Sequence, residues 1–216
     1  MKDGYIAAKE RWARKVAGRQ GSVEGSVVRS EDRLPPGQHL VTDFPVLDLG
    51  ILPEVRLSNW SLRIHGRVER PVTLDWEGFL AVGSVRDVSD FHCVTTWSQY
   101  DMVWDGVPFV GLAELAGPKE DASHVLFRAH DGYTTCLGLE ALMDEDVLVA
   151  HAWEGRPLTR EHGGPARVIV PKRYAWKGAK WVKEMIFLDR EIPGFWELRG
   201  YSSSADPWRA ERFSGG

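Results

Sequence analysis

Apolar residues recur along the chain in short runs, mostly at two-residue spacing, and clusters rich in Gly, Pro and Asp break the runs. WSLRIHGRV at 60–68 places Leu62, Ile64 and, past a glycine, Val68 on one side of a predicted strand. In TLDWEGFLAV, Thr73 precedes a short predicted helix with Asp75 near its N-terminus. SVRDVSDFHC resumes strand character and delivers Cys93 to a strand end. VWDGVPFVGLAELAG predicts a turn at Asp105-Gly106, then a helix opened by Pro108 and stopped by Gly117. ASHVLFRAHDGYTTCLGLEAL reads as strand, Asp131-Gly132 turn, strand and short helix, and DVLVAHAWEGRPL, ARVIVP and WVKEMIFLD supply further strands.

Many short strands with a few short helices imply an α+β domain of mixed sheets rather than a wound parallel sheet. Residues 5–19 alternate apolar and basic positions at roughly helical spacing, which predicts an amphipathic helix or ordered arm, and a loop follows over residues 20–40. The expected organisation is an arm over residues 1–32 and one domain over residues 33–216.

Composition is ordinary for a globular chain except for ten tryptophans, whose indole surfaces suit either the walls of a large pocket or plain core filling. No apolar stretch reaches the roughly 18 residues that span a bilayer. The N-terminus lacks the apolar core of a signal peptide and a twin-arginine leader, so a cytoplasmic protein with reduced cysteines is expected.

The net charge of −4 hides an uneven distribution, because residues 156–183 hold eight Lys and Arg against the single acid Glu161. Such a stripe suits either a specific anionic ligand or a solvated face. Gly163, Gly164 and Gly178 would let backbone N–H groups approach a phosphate, with Arg167, Lys177 and Lys180 as charge partners. Tyr174, Trp176 and Trp181 interleave with these bases as nucleic-acid stacking platforms would, but the acidic chain matches no nucleic-acid module, and none is expected as partner.

Cys93 admits several chemistries. A nucleophile needs a base, and adjacent His92 points to the opposite face of a strand, leaving His124, His130, His151 or His162. Zinc would need closely spaced partners that are missing. Taken alone, a buried inert thiol is the commonest fate, although one thiolate also suffices for a metal held mainly by an organic cofactor.

FHCVTTWSQYDMVWDGVPF resembles the molybdenum-ligand segment of the sulfite oxidase family, and HGGPARVIVPKRYAWKGAKWV resembles that family's second signature. HDGYTT and GFWELRGYSSSADPWRAERF are similar to stretches of its cytoplasmic bacterial members, and together the likeness covers most of residues 33–213. The resemblance implies a sulfite-oxidase-like, molybdopterin-dependent oxidoreductase with Cys93 as the thiolate on molybdenum. It implies Arg167 as a phosphate-contacting arginine, and Gly178, Ala179 and Lys180 as the loop around the pterin phosphate. His162 falls where periplasmic methionine-sulfoxide reductases carry an asparagine, and Phe44, Leu47, Asp48 and Ala129 are weaker cofactor contacts by the same resemblance. The haem and immunoglobulin-like domains of animal sulfite oxidases do not fit in 216 residues, and the R-N-H segment of their pocket is not evident, so the catalytic core alone is expected.

The expected reaction is two-electron oxygen-atom transfer on a small substrate such as a sulfoxide, N-oxide or sulfite-like molecule. Tyr174 and Arg173, beside the phosphate loop, would serve as proton donor and anion anchor. Two cysteines cannot hold an iron–sulfur cluster and no haem-attachment motif is present, so a separate haem, flavin or quinone-linked partner is expected. A Cys/His hydrolase or transferase and a non-catalytic cofactor-binding protein are the alternative classes.

Overall fold

A computed structural model describes residues 33–214, so the arm expected over residues 1–32 lies outside the described residues. Among the described residues eleven strands form two mixed sheets. The first is built on the path β1 (His39–Leu40), β5 (Trp97–Pro108), β8 (Leu148–Trp153) and β10 (Arg167–Ile169). To it are added β4 (Val85–His92) against β5 and β9 (Arg156–Pro157) against β8. The second runs β3 (Val72–Leu74), β2 (Leu62–Gly66), β11 (Val182–Leu188), β6 (His124–Ala129) and β7 (Thr134–Gly138). Two pairings, β1 with β5 and β2 with β11, are parallel and the rest antiparallel, which is the mixed α+β arrangement expected.

The helices follow their local signals. Asp75 caps α1 (Trp76–Ala81) by accepting from the Gly78 N–H at 2.8 Å, while Thr73 belongs to β3. Pro108 stands just before α2 (Phe109–Ala116), and Gly117 ends it in the left-handed region at φ 68°. Of the two Asp-Gly pairs, Asp131-Gly132 makes the β6–β7 turn, but Asp105-Gly106 makes none. There β5 runs straight through with a register shift opposite β8, and a Cβ on Gly106 would lie 2.7 Å from Ala150 Cα. Glycine at that position answers a close strand-to-strand approach in a bulge rather than a reversal of the chain.

Strand alternation sorts the sheet residues into two apolar layers. Val147, Val149 and Val168 join the main core with Phe109, Leu112, Phe127 and Phe187 from α2 and the second sheet. Leu148, Ala150 and Ile169 face the other way and pack with Phe91, Trp97, Trp104 and Cys93. Arg167, two residues before Ile169 on β10, therefore shares the Cys93 side of the sheet.

Candidate cofactor site

Cys93 follows the last residue of β4 and is held by a tight turn. Its N–H donates to Trp97 O at 2.8 Å, and its carbonyl accepts from the Thr96 N–H at 3.1 Å and from Gln38 Nε2 at 3.2 Å. The Sγ atom lies 3.1 Å from Thr95 Oγ1. Burial pushes the thiol upward, and the Thr95 contacts and the Arg167 charge oppose that rise. Among the described residues no histidine hydrogen-bonds this sulfur. His92 turns away to Ser98 at 2.8 Å and is driven down to about 4 by burial, so it stays neutral near pH 7. The Cys/His nucleophile arrangement is thus not assembled, and both cysteines are free thiols.

Cys93 opens onto a cavity of about 360 Å³. Arg167, Gly178, Lys180 and His162 line it together with Phe44, Leu47 and Asp48, so most of the residues singled out in the sequence converge there from distant segments. His162 stacks on Phe44 at 4.3 Å. Because the Phe44 carbonyl can only accept, His162 Nε2 donates to it at 3.0 Å, and Nδ1 lies 3.0 Å from the Thr159 hydroxyl. The basic residues pin the same irregular segment: Lys180 Nζ donates to Leu47 O at 2.6 Å, and Arg160 donates to the Leu52 and Pro53 carbonyls.

The cavity wall carries both signs of charge, with Asp48, Asp131 and Glu161 lining it beside Arg167 and Lys180. Arg167 is 4% exposed, donates to His162 O at 3.0 Å, and leaves Nε without a hydrogen-bond partner. Among the described residues it has no carboxylate partner, and its guanidinium lies 5.3 Å from the Phe91 ring centroid. Desolvation pulls its pKa down to about 10, and desolvation with the Arg167 charge pulls Lys180 down to about 8. A buried cation of this kind needs an anion. The loops are shaped for close approach: a Cβ on Gly178 would meet Val168 O at 2.4 Å, and one on Gly163 would meet Lys180 Cβ at 2.9 Å. Among the described residues no group of three His, Cys, Asp or Glu is placed to hold a metal. A metal at Cys93 would therefore take its other ligands from the cofactor, and the orphaned Arg167 Nε fits the phosphate of such a group.

Several expected residues are placed elsewhere. Lys177 is fully buried and pairs with Glu197 at 2.7 Å, so it is not a phosphate partner; its neighbours Trp176 and Gly178 line the cavity instead. Tyr174 is fully buried and absent from the cavity wall, and Arg173 borders a separate small crevice with Asp90 and His92. Neither side chain lines the cavity that adjacency to Lys180 suggested. Ala179 and Ala129 are buried behind the wall; Ala179 O accepts from the Val168 N–H at 2.9 Å, and Ala129 closes the β6–β7 turn.

The sequence reading missed Thr95, Asp131, Tyr133, Trp196 and Tyr201, all on the cavity wall. Trp97, Trp176 and Trp196 stand on the cavity wall, while Trp60, Trp104 and Trp181 are fully buried in the core, so both readings of the tryptophans hold. Tyr201 was signalled only by its position inside GFWELRGYSSS.

Two mixed sheets carry one cavity onto which Cys93, Gly178 and the basic side chains of Arg167 and Lys180 open together. The chain belongs to the oxidoreductase molybdopterin binding domain family, whose model matches residues 49–196. It is an oxidoreductase domain of sulfite-oxidase type, and its cofactor is molybdopterin. It is 43% identical over 183 residues to the oxidoreductase YuiH of Bacillus subtilis (strain 168), covering 84% of this chain and 92% of that one. It is 32% identical over 155 residues to the protein-methionine-sulfoxide reductase catalytic subunit MsrP of Gluconobacter oxydans (strain 621H), covering 63% of this chain and 49% of that one. The crystal structure of the sulfane dehydrogenase SoxCD from Paracoccus pantotrophus superposes with a TM-score of 0.61 at 25% identity, over 65% of this chain and 41% of that one. The chain thus spans about half or less of the MsrP and SoxCD chains it matches.

Proposed function

We propose that this domain catalyses removal of an oxygen atom from a small oxide, with a sulfoxide as the first candidate, and that a separate haem, flavin or quinone-linked protein delivers the electrons. One observation carries the reading: a lone thiol, Cys93, and a buried guanidinium without a carboxylate partner among the described residues, Arg167, line the same cavity. When bound, the cofactor supplies two-electron redox chemistry at molybdenum. Cys93 serves as the protein's soft ligand, and its turn fixes the direction of the sulfur. Arg167 and Lys180 neutralise the pterin phosphate, while Gly178 lets its loop pack close against β10 and Gly163 lets its own pack against the Lys180 side chain. Phe44 and His162, stacked at the wall, exclude water from that end. Likeness to a subunit named for methionine-sulfoxide reduction supports the sulfoxide, and the words "catalytic subunit" in that name support a separate electron partner. Two buried free thiols suit a reducing compartment, which supports a cytoplasmic location.

The test is metal and pterin analysis of protein purified from a cofactor-competent host. Near-stoichiometric molybdenum is expected, with metal lost and pterin retained in Cys93→Ser. Folded wild-type protein holding neither would overturn the reading. Sulfoxides, N-oxides and sulfite, offered with artificial electron donors and acceptors, then decide substrate and direction; turnover of sulfite alone would exclude the sulfoxide.

A further inference from the structure

Thr95 Oγ1 lies 3.1 Å from Cys93 Sγ, and both side chains line the cavity. While the sulfur is a thiol, either atom can donate. A metal-bound thiolate has no proton, so the hydroxyl must then be the donor. The turn does not depend on that hydroxyl, because Trp97 O, the Thr96 N–H and Gln38 already hold the Cys93 backbone. Gln38 is itself backed by Ser98 at 3.4 Å, which in turn meets His92 at 2.8 Å, so a buried chain of polar groups that do not line the cavity fixes the Cys93 carbonyl. The Thr95 hydroxyl is left to act on the sulfur alone.

From this geometry we infer that Thr95 is a positioning residue whose hydroxyl donates to the Cys93 thiolate and so sets how much electron density the sulfur gives the metal. The inference rests on Cys93 as the molybdenum ligand proposed above. A donor on a thiolate withdraws density and favours the more electron-rich, reduced state, so its loss makes reduction harder.

Redox titration of the loaded enzyme, followed by its molybdenum spectrum, tests this directly. Thr95→Val, equal in shape but without the hydroxyl, is expected to titrate at a more negative midpoint potential than wild type, with molybdenum content and Tm unchanged. Thr95→Ser is expected to stay with the wild type. Coincident titrations of Thr95→Val and wild type overturn the inference while leaving the metal assignment intact, and so does loss of molybdenum from both variants. A wild-type protein that binds no molybdenum overturns the functional reading and this inference together.

Discussion

Lys177 donates to Glu197 across 2.7 Å, with side chains 0% and 2% exposed. Lys177 also donates to Cys136 O at 2.8 Å, and Glu197 accepts from Thr135 Oγ1 at 3.0 Å, so the pair ties the phosphate-side loop and the C-terminal segment to β7. The neighbours Trp176 and Trp196 are held at the cavity wall by this tie. Removing one partner strands the other charge in a medium that cannot solvate it. Lys177→Met or Glu197→Leu alone should cost about 3–5 kcal/mol in urea unfolding, and the double variant should recover most of that loss.

Arg167 presents the opposite case, a buried charge with no counter-charge among the described residues. Arg167→Met takes one donor from His162 O but strands no charge, so apo-protein Tm should hold or rise. Pterin retention should fall, by about ten- to a hundredfold in affinity for one lost charge-assisted contact. Unchanged pterin content would mean that Arg167 makes no contact with the cofactor.

Lys180 titrates at about 8 in the fold, below its usual 10.5, chiefly through burial and next through Arg167. Between those two values the unfolded chain holds a proton that the native chain has released. Apo-protein stability should therefore rise with pH from about 8 toward 10.5, and Lys180→Gln should remove that rise. Phosphate binding by the apo-protein should move the other way, weakening as pH climbs through about 8 and the ammonium is lost.

Gly178 has Val168 O 2.4 Å from where a Cβ would stand, whereas Gly138 has nothing within 4 Å. Gly178→Ala should lose about 1–3 kcal/mol of stability along with cofactor retention, because the loop has to move off β10. Gly138→Ala should leave cofactor content unaltered.

The contrast between the two Asp-Gly pairs explains what local reading can and cannot do. Both carry the same turn chemistry, yet only Asp131-Gly132 turns, because the runs flanking Asp105-Gly106 pair with β4 and β8 on both sides and override it. Lys177, Tyr174 and Arg173 come to lie off the cavity wall for a related reason. Their charge or hydroxyl is readable, but the direction each side chain takes out of a non-repeating loop is set by what packs against it.

By itself the sequence determined the alternating strands, the Asp75 and Gly117 helix ends, the delivery of Cys93 to a strand end and, through two ordered motifs, the family. These depend on residues a few positions apart, where backbone periodicity, capping and turn preference act. Only the tertiary structure decided that Arg167 is buried beside the Cys93 cavity while Lys177 is neutralised behind it, and that Thr95 lies against the sulfur. Burial and pairing of a charge are properties of the surrounding packed chain, and the groups that fix them come from segments far apart in sequence.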